Sequence, residues 1–372
     1  MKIRNMIIDI PIFQGGMGVG VSWDNLAGSV SKEGAFGIIS AAATGYYQNQ
    51  SFVKKSILGR PCQTENLHNR EALFEIFRNA RKICGDKPLG CNVLYASRNY
   101  GEIVQDACEA GADAIITGAG LPINLPKFTK DYPHVALIPL ISSAKALNIL
   151  CRRWRRYDRL PDAVIVEGPL SGGHQGFTRE QCFDKKYKLE NLIKEVKEEI
   201  GKWGDIPLIA AGGVWDKDDI DKMMSLGADG VQLGTRFMGT KECDIDDNFK
   251  KMLVDVTKKD IELIMSPVGY PARVINSKLI ENIKQHNTPK IQCISNCVVP
   301  CNRGEEARKT GFCIADSLSD AHLGKVESGL FFVGTNGYKI EEIISVKELI
   351  NKLVHGEEHY AQPKEIAMIP SI

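Results

Sequence analysis

The chain has 372 residues, 43% of them hydrophobic and 25% charged, with a net charge of +1. That length buries a sizeable core, and the balanced charge excludes a global pull toward nucleic acid or an anionic membrane surface. No apolar run approaches the roughly 20 residues that cross a bilayer, and the first residues lack the features of a secretory signal, so a cytoplasmic setting is expected.

From Pro11 to Gly234, short apolar runs alternate with longer amphipathic segments. Strands are expected at Ile12–Gln14, Gly37–Ser40, Leu89–Leu94, Ala114–Thr117, Val135–Ile138, Ala163–Glu167, Pro207–Ala211 and Gly230–Leu233. Helices are expected over Asn99–Ala110, Ser142–Trp154, Tyr187–Gly201 and Lys217–Leu226. Strand–helix alternation repeated through eight units points to a (β/α)8 TIM barrel, with an open doubly wound sheet as the alternative. Two segments, Gly111-Ala112-Asp113 and Gly227-Ala228-Asp229, share one pattern: a helix stops on glycine, turns, and starts a strand.

After Thr240 the texture changes. Residues 241–303 are richer in Lys, Asp and Asn, with helical stretches and no clear strand alternation, and read as a helical, partly Cys-rich insertion over the mouth of a barrel formed by residues 1–240. Residues 304–372 read as C-terminal helices returning to the barrel, with a helix at Glu341–Leu353 and a final tail.

Glycine-rich turns fall where the strands end. Gln14-Gly15-Gly16-Met17-Gly18 follows the first, Gly118-Ala119-Gly120 the fourth, Ser171-Gly172-Gly173-His174 the sixth, Gly212-Gly213 the seventh and Gly234-Thr235 the eighth. In a barrel all of these open at the C-terminal face, where active sites lie, and the last two occupy the recurrent phosphate site of that fold. Glycine lets backbone N–H groups approach a phosphate or a flat ring closely. The first turn lacks a Rossmann fingerprint, and there is no Walker A sequence. His174 alone among these turns brings a ring that titrates near neutrality.

Most of the 11 cysteines are scattered singly through apolar segments, as small hydrophobes are in a reducing compartment. Cys293, Cys297, Cys301 and Cys313 are denser. Their spacing admits a zinc or iron–sulfur site, or packed thiols, and Pro300 favours a loop. Arg152-Arg153-Trp154-Arg155-Arg156-Tyr157 reads as a solvated helix end whose cations suit the helix dipole, or as a dock for an acidic carrier protein.

The residues resemble a known family. Pro-Ile-Phe-Gln-Gly-Gly-Met-Gly near the start, Gly90-Cys91-Asn92-Val93, Glu167-Gly168 followed by Ser-Gly-Gly-His-Gln-Gly, Ile209-Ala210-Ala211-Gly212-Gly213-Val214 and Val231-Gln232-Leu233-Gly234-Thr235-Arg236-Phe237 occur in the order found in the nitronate monooxygenases (2-nitropropane dioxygenases). That family also includes FMN-dependent enoyl-acyl-carrier-protein reductases. The likeness is close over residues 11–240 and looser beyond. It implies FMN, with Gly15, Gly16 and Met17 along the ring and Asn92 hydrogen-bonded to it. Glu167 stands where the family often has Gln facing the cofactor, with Gly172 beside it. Gly212, Gly213, Gln232, Leu233, Gly234 and Thr235 would cradle the phosphate, and His174 matches the active-site histidine. One departure alters the pocket wall: Pro169-Leu170-Ser171 stands where the family usually has Glu-Ala or Glu-Ser.

The expected function is therefore oxidation of alkyl nitronates with O2 to carbonyl compounds and nitrite, with His174 as base. The enzymatic alternative is NAD(P)H-dependent reduction of an enoyl thioester. The non-enzymatic one is a flavin- or phosphate-binding module whose Cys cluster is the working part. The expected partners are these small molecules, with no nucleic acid and no membrane; a homodimer is left open.

Overall fold

The computed structural model describes residues 1–46, 63–287, 297–299, 301 and 311–356. An antiparallel hairpin of β1 (Lys2–Ile3) and β2 (Met6–Ile7) comes first. The barrel strands are β3 (Ile12–Gln14), β4 (Gly37–Ser40), β5 (Leu89–Leu94), β6 (Ala114–Gly118), β7 (Ala136–Ile141), β8 (Val164–Glu167), β10 (Leu208–Ala211) and β11 (Gly230–Leu233). The two-residue strand β9 (Gly173–His174) lies between β8 and β10 in the chain but outside the barrel. The 8-stranded sheet runs in sequence order, and β11 pairs in parallel with β3. A parallel bridge between Phe13 and Phe36, with Gln14 N–H donating to Phe36 O at 2.9 Å, joins β3 to the start of β4. First and last strands meet, which excludes the open doubly wound sheet. The fold is a TIM barrel.

Two apolar layers hold it. Inside, Phe13, Phe36, Ile38, Ile116, Ile138, Ile165 and Ile209 fill the barrel, and Ile3, Met6 and Ile8 of the N-terminal hairpin join them. Outside, the other strand faces pack on helices α1 (Asp24–Lys32), α2 (Gln63–Cys84), α3 (Tyr100–Glu109), α4 (Leu125–Phe128), α5 (Ala144–Trp154), α6 (Leu189–Ile200), α7 (Lys217–Ser225) and α8 (Thr235–Met238). In α6 the fully or nearly buried residues are Leu189, Leu192, Ile193, Val196, Glu199 and Ile200, close to the stripe that helical periodicity picks out.

The Gly-Ala-Asp repeats have a common mechanical purpose. Gly111 and Gly227 take φ of +99° and +103°, the left-handed backbone that ends a helix without steric cost. The aspartate that follows reaches back to the preceding strand: Asp113 Oδ2 accepts from Leu89 N–H at 2.8 Å, and Asp229 Oδ2 from Leu208 N–H at 2.8 Å. Asp162 does the same for Leu137 N–H at 2.8 Å. Each carboxylate satisfies the first orphan donor of a parallel strand.

Beyond Thr240, helix α9 (Asp247–Asp255) is followed by a β-hairpin, β12 (Ile261–Met265) and β13 (Pro271–Ile275), and then by α10 (Lys278–Lys284). The hairpin corrects the expectation of no strands here. All of β13 is buried, so it shows no period-2 alternation, and β12 buries only Leu263 fully. Helices α11 (Ile314–His322) and α12 (Val346–His355) complete the described chain. The expected Glu341–Leu353 helix begins only at Val346, where Ser345 Oγ accepts from Glu348 N–H at 3.1 Å. Before it, Ile344 bridges Thr240 instead. The expected tail lies outside the described residues.

At the end of α5 the arginines are exposed while Trp154 is fully buried, and Arg155 stacks over the Trp203 ring at 4.6 Å. Among the described residues no helix is long and apolar enough to cross a membrane.

Candidate active site

The turns at the C-terminal ends of the strands surround one cavity of about 890 Å³, and every sequence-predicted site residue lines it. Residues after Thr240, including Val268, Tyr270, Leu318, His322 and Phe332, complete its walls.

The loop after β3 is fastened across the barrel by Gly15 N–H donating to Leu233 O at 2.8 Å. A Cβ on Gly16 would stand 2.3 Å from Asn92 Cβ, so only glycine lets this backbone lie on the end of β5. Met17 Sδ would come within 3.3 Å of a Cβ on Gly234, which places the first and last βα turns side by side.

Glu167 and Gln232 share one row of the sheet, since each pairs in register with Ala211 from opposite sides. Gln232 Oε1 is buried and has no hydrogen-bond partner among the described residues. Glu167 faces the cavity without a hydrogen bond or ion pair among the described residues, and burial pushes its carboxyl up to about 7. Two polar side chains that the fold leaves unsatisfied thus point at the same space.

Gly212 and Gly213 both take φ of +95°. A Cβ on Gly212 would fall 2.6 Å from Gly168 O, and one on Gly213 would fall 2.9 Å from Leu170 Cβ. Asn336 Nδ2 donates to Gly213 O at 2.8 Å, and Gly334 N–H donates to Thr235 Oγ1 at 2.8 Å. With that acceptor role taken, the Thr235 hydroxyl keeps its proton for an oxygen in the cavity.

His174 is carried by β9, which pairs with β13 rather than with the barrel: Ala272 lies opposite His174 and Arg273 opposite Gly173. Its Nε2 lies 2.8 Å from Ser266 Oγ, in the turn of the β12–β13 hairpin, and its ring packs edge-on against Phe332 at 5.2 Å. Burial pushes the imidazole down to about 4, so the ring is neutral at pH 7. The turn that departs from the family pattern is pinned from behind by Arg273, whose Nη1 donates to Pro169 O at 2.7 Å and Ser171 O at 2.6 Å.

Ser266, Arg273, Phe332, Gly334 and Asn336 escaped the sequence reading. The hairpin had one visible signal, Ser266-Pro267-Val268-Gly269 between two apolar runs. Of the cysteine cluster, Cys293 lies outside the described residues, and Cys297, Cys301 and Cys313 are half-buried. Among the described residues no group of three or more His, Cys, Asp or Glu could hold a metal.

Fold and cavity together define a (β/α)8-barrel protein whose C-terminal face presents a glycine-lined pocket that includes His174 and Glu167. The family model for nitronate monooxygenase matches residues 1–356, and the chain belongs to that family. It is 25% identical over 278 residues to a (3aS,4S,5R,7aS)-5-hydroxy-7a-methyl-1-oxo-octahydro-1H-indene-4-carboxyl-CoA dehydrogenase of Rhodococcus jostii, covering 74% of this chain and 65% of that protein. It is 23% identical over 363 residues to a probable nitronate monooxygenase of Bacillus subtilis, covering 92% and 94%. The chain spans only about a third of the length of matched relatives from Saccharomyces cerevisiae and Staphylococcus haemolyticus. Among solved structures, FabK from Thermotoga maritima superposes with a TM-score of 0.69 at 26% identity, covering 95% of this chain and 94% of that one.

Proposed function

We propose that this protein is an FMN-dependent oxidoreductase that oxidises alkyl nitronates with O2 to carbonyl compounds and nitrite. The observation that carries the reading is the convergence of five glycine turns, the unsatisfied Gln232 and Glu167, and a neutral His174 on one cavity. The donor set suits FMN. Gly15, Gly16 and Met17 offer backbone to a flat ring, and Asn92, Glu167, Gly172 and Gln232 offer polar or close-approach groups at its edges. Gly212, Gly213, Leu233, Gly234 and Thr235 offer backbone and a hydroxyl to the phosphate. When bound, FMN supplies the two-electron acceptor and the route to O2.

The protein's own contribution is proton handling and placement. His174 enters with a free lone pair because burial keeps it neutral. A carbon acid in the pocket gives its proton to the ring, and the anion so formed then stabilises the imidazolium beside it. Ser266 holds Nε2 and so fixes the ring's orientation. Phe332 packs edge-on against the ring at 5.2 Å and gives it an apolar neighbour. The free thiols of the described cysteines, six of them buried, support a reducing compartment such as the cytoplasm.

A second reading, reduction of an enoyl thioester with NAD(P)H, is favoured by the size of the cavity and by the Rhodococcus relative, which is named for chemistry on a carboxyl-CoA. The test of the first reading is His174→Asn assayed with a neutral nitroalkane and with its preformed nitronate. Turnover of the neutral acid is expected to fall far more. Equal losses on both would remove the base role.

A further inference from the structure

The cavity has two unlike sides. The strand-end turns line one with glycine backbone and with the polar groups of the candidate flavin site. The other is contributed by residues after Thr240, none of which, among the described residues, is a lysine, arginine, aspartate or glutamate. Its main wall is α11. Ile314, Ala315, Leu318, Ala321 and His322 of that helix line the cavity. Positions i, i+1, i+4, i+7 and i+8 share one helical face, so a single stripe of α11 is turned to the cavity. Its apolar part, Ile314 to Ala321, is about 10 Å long at the helical rise per residue.

The stripe runs between the two working parts of the site. Leu330 N–H donates to Ser317 O at 2.9 Å, and Leu318, Val268 and Phe332 pack on the apolar cluster that contains Leu330. Phe332 in turn meets the His174 ring at 5.2 Å. At the far end His322 packs edge-on against Trp23 at 4.8 Å, and a Cβ on Gly20 would fall 2.3 Å from its Nδ1. The helix therefore ends against the loop that begins with Gly15, Gly16 and Met17. Burial pulls the His322 imidazole below its ordinary value, so it adds no charge to this wall at neutral pH. Leu318, Val268 and Phe332 are only half-buried although they line the cavity, which leaves apolar surface for a ligand to cover.

We propose that the α11 wall is an alkyl-chain groove, that the substrate carries an uncharged aliphatic tail along it, and that Leu318 is a specificity-determining residue. The inference rests on the nitronate reading for the head group and goes beyond it by naming the tail. At about 1.5 Å per carbon–carbon bond laid in zigzag, the wall accommodates roughly eight carbons. Each covered methylene leaves water and adds affinity. A carboxylate at the far end of the tail would be desolvated with no cation from this wall to receive it.

Straight-chain carboxylates share the planar anionic head of a nitronate and are not turned over. The test titrates the protein, in buffer containing FMN, with acetate, butanoate, hexanoate, octanoate and decanoate by calorimetry. Affinity is expected to rise roughly three- to fourfold per methylene and to level off near octanoate, so that octanoate binds on the order of a hundredfold more tightly than butanoate. Octanedioate is expected to lose most of that gain. Leu318→Asn is expected to cut the octanoate-to-butanoate ratio by about fivefold or more, and Leu318→Met to keep it. A flat series in wild type overturns the proposal, as does a ratio that survives Leu318→Asn, which would place the chain elsewhere. If Leu318→Asn does not fold, Val268→Thr takes its place with the same two outcomes. Turnover of the nitronates of nitroethane and nitrooctane separates the groove from the reading it rests on. A flat carboxylate series with nitronate turnover defeats the groove alone; a rising series with no flavin reduction by either nitronate defeats the nitronate reading and leaves the groove standing.

Discussion

His174 Nε2 lies 2.8 Å from Ser266 Oγ, across 92 residues of sequence. The imidazole that β9 brings to the cavity is thus oriented by a hairpin that the barrel does not supply. Ser266→Ala is expected to lower turnover about five- to tenfold, the worth of one net hydrogen bond of about 1 kcal/mol, with Tm little changed. Steady-state kinetics against pH checks it. A large fall in Tm with turnover per folded molecule unchanged would make Ser266 structural only.

Glu167 gives a pH-dependent stability. Its carboxyl has an ordinary value near 4.5 and is raised to about 7 in the fold. Between those values the native state binds the proton more tightly than the unfolded chain, so stability is greatest below pH 4.5 and is lost as pH rises through 7. Glu167→Gln removes that loss. Relative to wild type the variant is expected to gain stability progressively from pH 5 to 8, by at most about 3 kcal/mol. Denaturant midpoints at several pH values measure it; a pH-independent difference would contradict it.

His174 acts in the opposite direction. Its value is depressed to about 4 from 6.5, so the unfolded chain binds the proton first as pH falls. The neutral-ring contribution is full above 6.5 and is lost as pH drops toward 4. His174→Asn is expected to flatten the acid limb of the stability profile between those values, as read by Tm in matched buffers. A profile identical to that of wild type would show that the ring is not held neutral.

Gly172 is a close-approach position. A Cβ there would fall 2.7 Å from Val333 C and 2.8 Å from Gly334 N, both backbone atoms. Gly172→Ala is expected to cost about 1–3 kcal/mol and to weaken flavin binding together with stability. Gly201→Ala, whose nearest contact would be Glu198 O at 3.4 Å, is the control and should leave both intact.

The aspartates that start strands separate a buried from an exposed contact. Asp229 accepts from Leu208 N–H at 2.8 Å and from Lys197 Nζ at 3.1 Å. Asp229→Ala is expected to cost about 1–3 kcal/mol because it orphans a strand donor. Lys197→Ala, which removes only a half-exposed ion pair, should cost less than about 1 kcal/mol. Chemical denaturation of the two variants distinguishes them.

The barrel was legible because its strands are short, largely apolar runs that the fold buries, and five of the eight run into glycine-rich turns. Ile12–Gln14, Gly37–Ser40, Leu89–Leu94 and Gly230–Leu233 match the expected bounds exactly in residue number. The cavity-lining turns were legible for the same reason, since glycine at a strand end has few other uses. What stayed hidden depends on long-range pairing. β13 carries no alternation because the β9 and β12 strands flank it and the core covers it, so neither Ser266 nor Arg273 signals its role locally. The Ile344–Thr240 bridge displaced the first turn of the C-terminal helix, a tertiary contact that helix periodicity does not register.

The most direct measurement of the central claim is anaerobic reduction of the FMN-loaded protein, followed at the flavin absorbance, with a nitronate in one experiment and NADH or NADPH in the other. Rapid bleaching by nitronate, with slow or no bleaching by either nicotinamide, is the predicted result. Rapid bleaching by NAD(P)H and none by nitronate would contradict the account and favour enoyl-thioester reduction.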